Sequence, residues 1–169
     1  MLRHLYISNY AIINELEIDF STGMNVITGE TGAGKSIIIG ALNLILGERA
    51  DTTVLVNKEK KCIIEGVFEP VQKERLVQFF TSNDLDYQSE ITVRREIAVS
   101  GKTRAFINDT PVTLSQMQQL SSLLVDLHRQ FDTLAIADND FQVNVLDALA
   151  RNSELLKVYQ NQYKNWQKS

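Results

Sequence analysis

Leu5-Tyr6-Ile7 and Leu16-Glu17-Ile18-Asp19-Phe20 follow a period of two, which predicts two strands, each with one buried face, joined through Asn14-Glu15. Ser21-Thr22-Gly23 then turns the chain into Met24-Asn25-Val26-Ile27-Thr28, a short apolar, β-branched run that predicts a buried strand. Ile37 to Leu46 is apolar over a length that suits a helix, and Gly47 stops it. Further on, Cys62 to Glu69 predicts a strand closed by Pro70. A short helix is expected from Lys73 to Phe80, with Leu76, Val77 and Phe80 inward and Asn83-Asp84 as its breaker. Ile91 to Ile97 and Thr103 to Ile107 predict a hairpin around Ser100-Gly101-Lys102, followed by a turn at Asn108-Asp109-Thr110-Pro111.

Thr113 with Gln116 three residues on forms a capping box, opening a helix expected to run to about Leu120. Leu123-Leu124-Val125-Asp126-Leu127 predicts a short apolar strand, and His128 to Asp132 a polar loop after it. A helix capped by Asp140 is expected to reach about Ala150 and to bury Phe141, Val145, Leu146 and Leu149. In the last stretch, capped by Ser153, the residues Leu156, Tyr159, Tyr163 and Trp166 fall three or four apart, the spacing of a coiled-coil seam or an amphipathic helix. The pattern is still running where the sequence stops, which favours the beginning of a coiled-coil arm.

A length of 169 residues suits one domain with a core of its own. With 44% hydrophobic and 22% charged residues, the composition is that of a soluble globular protein. The net charge of -4 and the sequence pI of about 5.2 exclude a uniformly basic surface, though not a local patch among Lys58, Lys60, Lys61, Arg94, Arg95, Lys102 and Arg104. Cys62 is the only cysteine, so an internal disulfide and a cysteine-rich zinc site are excluded, and it reads best as a small buried hydrophobe. The opening residues lack the apolar core of a signal peptide and no later run approaches a membrane span, so a cytoplasmic protein without a membrane partner is expected.

The candidate chemistry lies between the third predicted strand and the first predicted helix. Gly29-Glu30-Thr31-Gly32-Ala33-Gly34-Lys35-Ser36 satisfies the phosphate-loop pattern G-x-x-x-x-G-K-[ST] at every fixed position. Glycines let backbone N–H groups approach a triphosphate closely. Lys35 is placed to reach the β- and γ-phosphates, Ser36 to ligate Mg²⁺, and the helix N-terminus points its positive end at the same anion. Strand, glycine loop and helix is the context that supports ATP binding over an ordinary turn.

The pieces resemble the N-terminal part of the ATPase head in the RecN family, bacterial DNA repair proteins related to the SMC (structural maintenance of chromosomes) proteins. The resemblance rests on Leu5 to Ile13, on Asn25 to Leu42, on Leu46-Gly47-Glu48-Arg49-Ala50-Asp51, on Gly101 to Asn108 and on Leu124 to Gln130. It implies an α/β fold: the N-terminal lobe of an ABC-type, SMC-like P-loop ATPase head, with a mixed sheet around the loop helix. Residues 1–150 would form the lobe and 151–169 the start of the coiled-coil helix. It further implies that Gln130 is the Q-loop glutamine that contacts Mg²⁺ and the attacking water, although the family has glycine where this chain has Arg129. From the residues alone, Gln130 is either a ligand contact past a strand end or a solvated loop residue. Arg49 and Arg104 are either phosphate-reaching arginines or surface ones.

Asp126 resembles a Walker B carboxylate, but Leu127 stands where a catalytic glutamate belongs. The sequence holds no signature loop, no Asp-Glu Walker B pair and no switch histidine. It therefore reads as one lobe of a head that binds ATP and Mg²⁺ but needs a C-terminal lobe and head dimerisation to hydrolyse. By the resemblance, the full-length protein is a nucleoid-associated homodimer on ATP that engages DNA in double-strand break repair and recombination. Two alternatives stay open: another SMC-like or recombination mediator ATPase, and a small P-loop phosphotransferase with Asp126 on Mg²⁺.

Overall fold

The computed structural model describes residues 1–29, 34–50, 52–70, 73–125, 143, 146, 147, 149, 150 and 152–167. The chain divides into two compact units, Met1–Asp126 and Leu127–Ser169. Six strands build the first unit: β1 (Leu2–Tyr10), β2 (Ile13–Asp19), β3 (Cys62–Phe68), β4 (Ile91–Ile97), β5 (Thr103–Ile107) and β6 (Thr110–Val112). They form one sheet in the order β2-β1-β3-β4-β5-β6, and each neighbouring pair is antiparallel. Helices α1 (Lys35–Ile45), α2 (Lys73–Ser82) and α3 (Leu114–Leu124) complete the unit.

Strand alternation decides which face each residue joins. Leu5 and Ile7 of β1, Cys62, Ile64 and Phe68 of β3, Ile91, Val93 and Ile97 of β4, and Ala105 and Ile107 of β5 are all buried and belong to one core with Ala41, Leu44 and Ile45 of α1. Several residues between them, Glu65, Arg94 and Glu96, carry charge. Arg94 meets Glu65 at 3.5 Å and Asp109 at 2.9 Å and lies 4.7 Å from the Phe106 ring centroid, while Lys61 pairs with Glu96 at 3.1 Å.

Helix α1 sits close to the sheet because glycines leave room for it. A Cβ on Gly66 of β3 would fall 2.7 Å from Ile45 Cδ1, and one on Gly40 of α1 would fall 2.7 Å from the Tyr10 hydroxyl. At the other end Gly47 takes φ +97, a conformation glycine adopts without steric cost, and its carbonyl accepts from Gln118 Nε2 of α3 at 2.8 Å.

Several expected elements differ in detail. The β1–β2 turn falls at Ala11-Ile12 instead of Asn14-Glu15, because Asn9 and Ala11 take positive φ (56 and 53) and reverse the chain earlier. Asn9 is held there by its side chain, which donates to the carbonyls of Asn57 and Lys60 (2.9 and 2.7 Å) and accepts from the Asn57 amide (2.7 Å). In α2 the inward residues are Leu76, Phe79 and Phe80, while Val77 is exposed. The Thr113–Gln116 capping box forms, but α3 runs past Leu120 and takes in Leu123 and Leu124, so those two are helical and not part of a strand. Val125 of that predicted strand is the C-cap of α3, and Asp126, Leu127 and the loop 128–132 with Gln130 lie outside the described residues.

In the second unit, Val143, Leu146, Asp147 and Leu149 are helical, and α4 spans Ser153–Gln167. Leu146 and Leu149 are exposed, against the expectation that they are buried; Phe141 and Val145 lie outside the described residues. On α4 the rings of Tyr159, Tyr163 and Trp166 follow one another at centroid distances of 6.2 and 5.9 Å, one exposed aromatic face at the predicted spacing. Among the described residues no helix is long and apolar enough to cross a membrane.

Candidate phosphate-binding site

Lys35 is the first residue of α1, and Gly34 is its N-cap. Gly34 offers no side chain to the helix start, and α1 carries no acidic residue in its first turn. The Ile37 and Ile38 amides both donate to the Gly34 carbonyl at 3.1 Å, and this end of the helix carries the positive end of its dipole. A Cβ on Gly34 would meet nothing within 4 Å.

The Lys35 ammonium donates to the Gly29 carbonyl, so the side chain folds back across the loop from its last fixed lysine to its first glycine. A cation is thereby held at Gly29, the first residue of the phosphate pattern. Ser36 is exposed on the first turn of α1. Glu30, Thr31, Gly32 and Ala33 lie outside the described residues, as do Asp126 and Gln130. The described part of the site is therefore Gly29, Gly34, Lys35 and Ser36. Their donors, an uncapped helix end, an ammonium and a hydroxyl, are those that a phosphate-bearing ligand takes, and a hydroxyl on the first turn suits Mg²⁺.

The run feeding this loop departs from expectation. Met24 to Thr28 is not a strand: Met24 is 91% exposed, Val26 67% and Ile27 45%. A strand needs a hydrogen-bonding neighbour, and the described sheet ends at β2 on one side and β6 on the other without taking this run in. Asn25 instead ties the preceding turn, accepting from Ser21 N and Oγ at 3.0 Å each.

Neither candidate arginine has an ion pair within the described residues. Arg49 is exposed after α1, and Arg104 lines a cavity between β5, β6 and α3 that shares no residue with the loop. The basic residues do not form one patch. Arg94 and Arg95 alternate onto opposite faces of β4, and Lys61 and Arg94 are paired with carboxylates. Arg95 was not singled out as a site residue, yet its signal is in the sequence: it is the charged member of the inward series Ile91, Val93, Arg95, Ile97. Cys62 is fully buried, and desolvation pushes its thiol from the usual 9.0 up to about 12, which suits a packing role and not a nucleophile.

The family described as AAA domain matches residues 4–168. The DNA repair protein RecN of Vibrio cholerae is 38% identical over 169 residues, covering 100% of this chain and 30% of the relative. The RecN protein of Bacillus subtilis is 36% identical over 171 residues, covering 99% of this chain and 30% of the relative. The chain thus spans about 30% of the length of the curated relatives it matches. Among solved structures, one from work on ATP-driven dimerization and DNA stimulated activation of SMC ATPases superposes with a TM-score of 0.59 at 17% identity, covering 88% of this chain and 98% of that one. That likeness concerns the fold, an antiparallel sheet with the loop helix packed on it.

Proposed function

This chain belongs to the AAA domain family, and from that premise we propose that it is the ATP-binding N-terminal lobe of an SMC-like ATPase head that acts in DNA double-strand break repair and recombination. Residues 1–150 form the lobe, and the helix from 151 begins a coiled-coil arm. The observation that carries the reading is the start of α1, where Gly34 supplies no side-chain cap and the Lys35 ammonium donates to the Gly29 carbonyl.

In this reading Gly29, Glu30, Thr31, Gly32, Ala33, Gly34, Lys35 and Ser36 wrap the phosphates. Lys35 neutralises charge on the β- and γ-phosphates, while Ser36 and Gln130 hold Mg²⁺. When bound there, Mg²⁺ would offset negative charge on the phosphates. Positioning alone does not hydrolyse. A polarised water and stabilisation of the transition-state charge are also needed, and these come from a C-terminal lobe of the same head and from a second head across a dimer. The exposed run Met24 to Ile27 supports this division, since it is a strand-forming sequence awaiting a partner. The full-length protein is a cytoplasmic, nucleoid-associated ATPase that dimerises on ATP and engages DNA.

Titration of the chain with ATP and Mg²⁺ by calorimetry tests the reading. Weak binding lost in Lys35→Ala is expected, with phosphate release at background. Turnover by the isolated chain that Lys35→Ala abolishes contradicts the need for a second lobe. An absence of binding at millimolar ATP removes the reading altogether.

A further inference from the structure

A second anion site, separate from the glycine loop, is built around Arg95. The side chain is 3% exposed and faces inward from β4 opposite Ala105, whose small side chain leaves room beside it. A buried guanidinium ordinarily has a carboxylate on it, because an unpaired buried charge is costly. Arg95 has none among the described residues. Its one polar contact is from Nη2 to Thr103 Oγ1 at 3.4 Å, its Nε has no acceptor, and burial depresses its pKa. Nε and Nη2 form the edge with which a guanidinium grips two oxygens at once.

This side chain lines a cavity of about 550 Å³ at the place where β6 ends and α3 begins. The other polar residues of the lining are Thr103, Arg104 and Thr113, and no acidic residue belongs to it. Glu96 lies across from Arg104 in the β4–β5 register, but its carboxylate is taken by Lys61 at 3.1 Å. Thr113 and Leu114, also in the lining, are the N-cap and first residue of α3, whose first turn carries no acidic residue. The capping box satisfies the amides of Thr113 and Gln116, and the two amides between them have no intrahelical acceptor. Two arginines, a helix start and a threonine hydroxyl thus surround one space.

We propose that this cavity binds a small tetrahedral oxyanion, phosphate or a terminal phosphate ester, held by the Arg95 guanidinium, the Thr103 hydroxyl and the first amides of α3. A carboxylate offers two oxygens and is satisfied by the arginine edge alone. Donors from separate elements suit an anion with oxygens in several directions. Because Arg95 is almost wholly enclosed, the ligand has to enter the cavity, which favours a free or terminal phosphate over a diester within a nucleic-acid backbone.

The test follows the Arg95 Nε–Hε resonance of the chain by ¹H–¹⁵N NMR during titration with inorganic phosphate, with adenosine monophosphate and with a short DNA duplex, all at matched ionic strength. Phosphate and the monophosphate are expected to shift that resonance saturably, and the duplex is not. Arg95→Lys keeps the charge but loses the paired edge and should weaken binding about tenfold or more. Arg95→Met should abolish binding, and if it fails to fold, Arg95→Lys carries the comparison. Lys35→Ala should leave the Arg95 response intact while removing ATP binding at the glycine loop, so the two sites fail independently. An equal shift with chloride, a shift with the duplex alone, or loss of the response in Lys35→Ala overturns the proposal.

Discussion

The Tyr10 hydroxyl occupies the position where a side chain on Gly40 would begin: a Cβ there would lie 2.7 Å from it and 3.7 Å from the ring carbon that bears it. Tyr10 is 8% exposed and ends β1, so its ring is not free to swing aside. The contact sets how closely α1, and with it Lys35, lies on the sheet.

Gly40→Ala should therefore destabilise the chain by about 1–2 kcal/mol: overpacking costs about 1–3 kcal/mol and the gain in helix propensity returns about 0.5–1. Only the hydroxyl is too close, so Tyr10→Phe in the same chain should reverse most of the loss. Urea melts of the two single variants and the double variant give the coupling. Additive effects would mean that the two residues do not meet.

Asn9 carries a second prediction. It is 5% exposed, takes positive φ and makes hydrogen bonds to Asn57 and Lys60 that pin a loop distant in sequence. Asn9→Ala leaves backbone groups of that loop unsatisfied and places a Cβ without compensation in the left-handed region, so a loss of about 2–3 kcal/mol is expected. Asn9→Gly removes the backbone cost but not the lost bonds, and should recover only part of it. The denaturant midpoint reads both, and full recovery by glycine would show that the side-chain bonds contribute little.

What could be read from the residues was local. The Thr113–Gln116 box, the Ile91 to Ile107 hairpin and the helix after Lys35 each rest on signals a few residues apart, and all three form. Met24 to Thr28 has the composition of a strand, but a strand exists only where a neighbour supplies hydrogen bonds, and composition does not say whether one is present. Leu123-Leu124 fits a strand or a buried helix end equally, and continuation of α3 decided it. Arg95 reads as a patch residue with Arg94 because the two are adjacent in sequence, whereas a strand sends neighbours to opposite faces. The glycine loop pattern was legible in full, yet the hydrogen bond from the Lys35 ammonium to the Gly29 carbonyl is a spatial contact that a pattern of residue types does not carry.

Because Val26 is 67% exposed and Met24 91%, neither contributes to the stability of the described sheet. Val26→Ser should leave the unfolding free energy within about 0.5 kcal/mol of the parent, as surface changes do. It should also reduce self-association at high concentration, since an apolar, β-branched run without a partner is a template for strand pairing. Thermal unfolding and light scattering on the same samples separate the effects. A loss of several degrees in melting temperature would place Val26 inside a packed strand.

The last prediction concerns pH. Cys62 has no accessible surface and burial holds its proton to about pH 12, while an unfolded thiol releases it near 9.0. The folded-state pKa lies above the unfolded one, so below the unfolded value both states are protonated and the thiol adds no pH dependence. Between the two values the unfolded chain has released its proton and the folded chain has not, so stability falls as pH rises. Cys62→Ala lacks this slope, although it is less stable at neutral pH because it leaves a small cavity. The gap between parent and variant should narrow on going from about pH 8 to about pH 11, as read from urea melts at each pH. A constant gap would mean that the thiol ionises equally well in the folded protein, and rapid labelling of Cys62 by a thiol reagent below the unfolding transition would lead to the same conclusion.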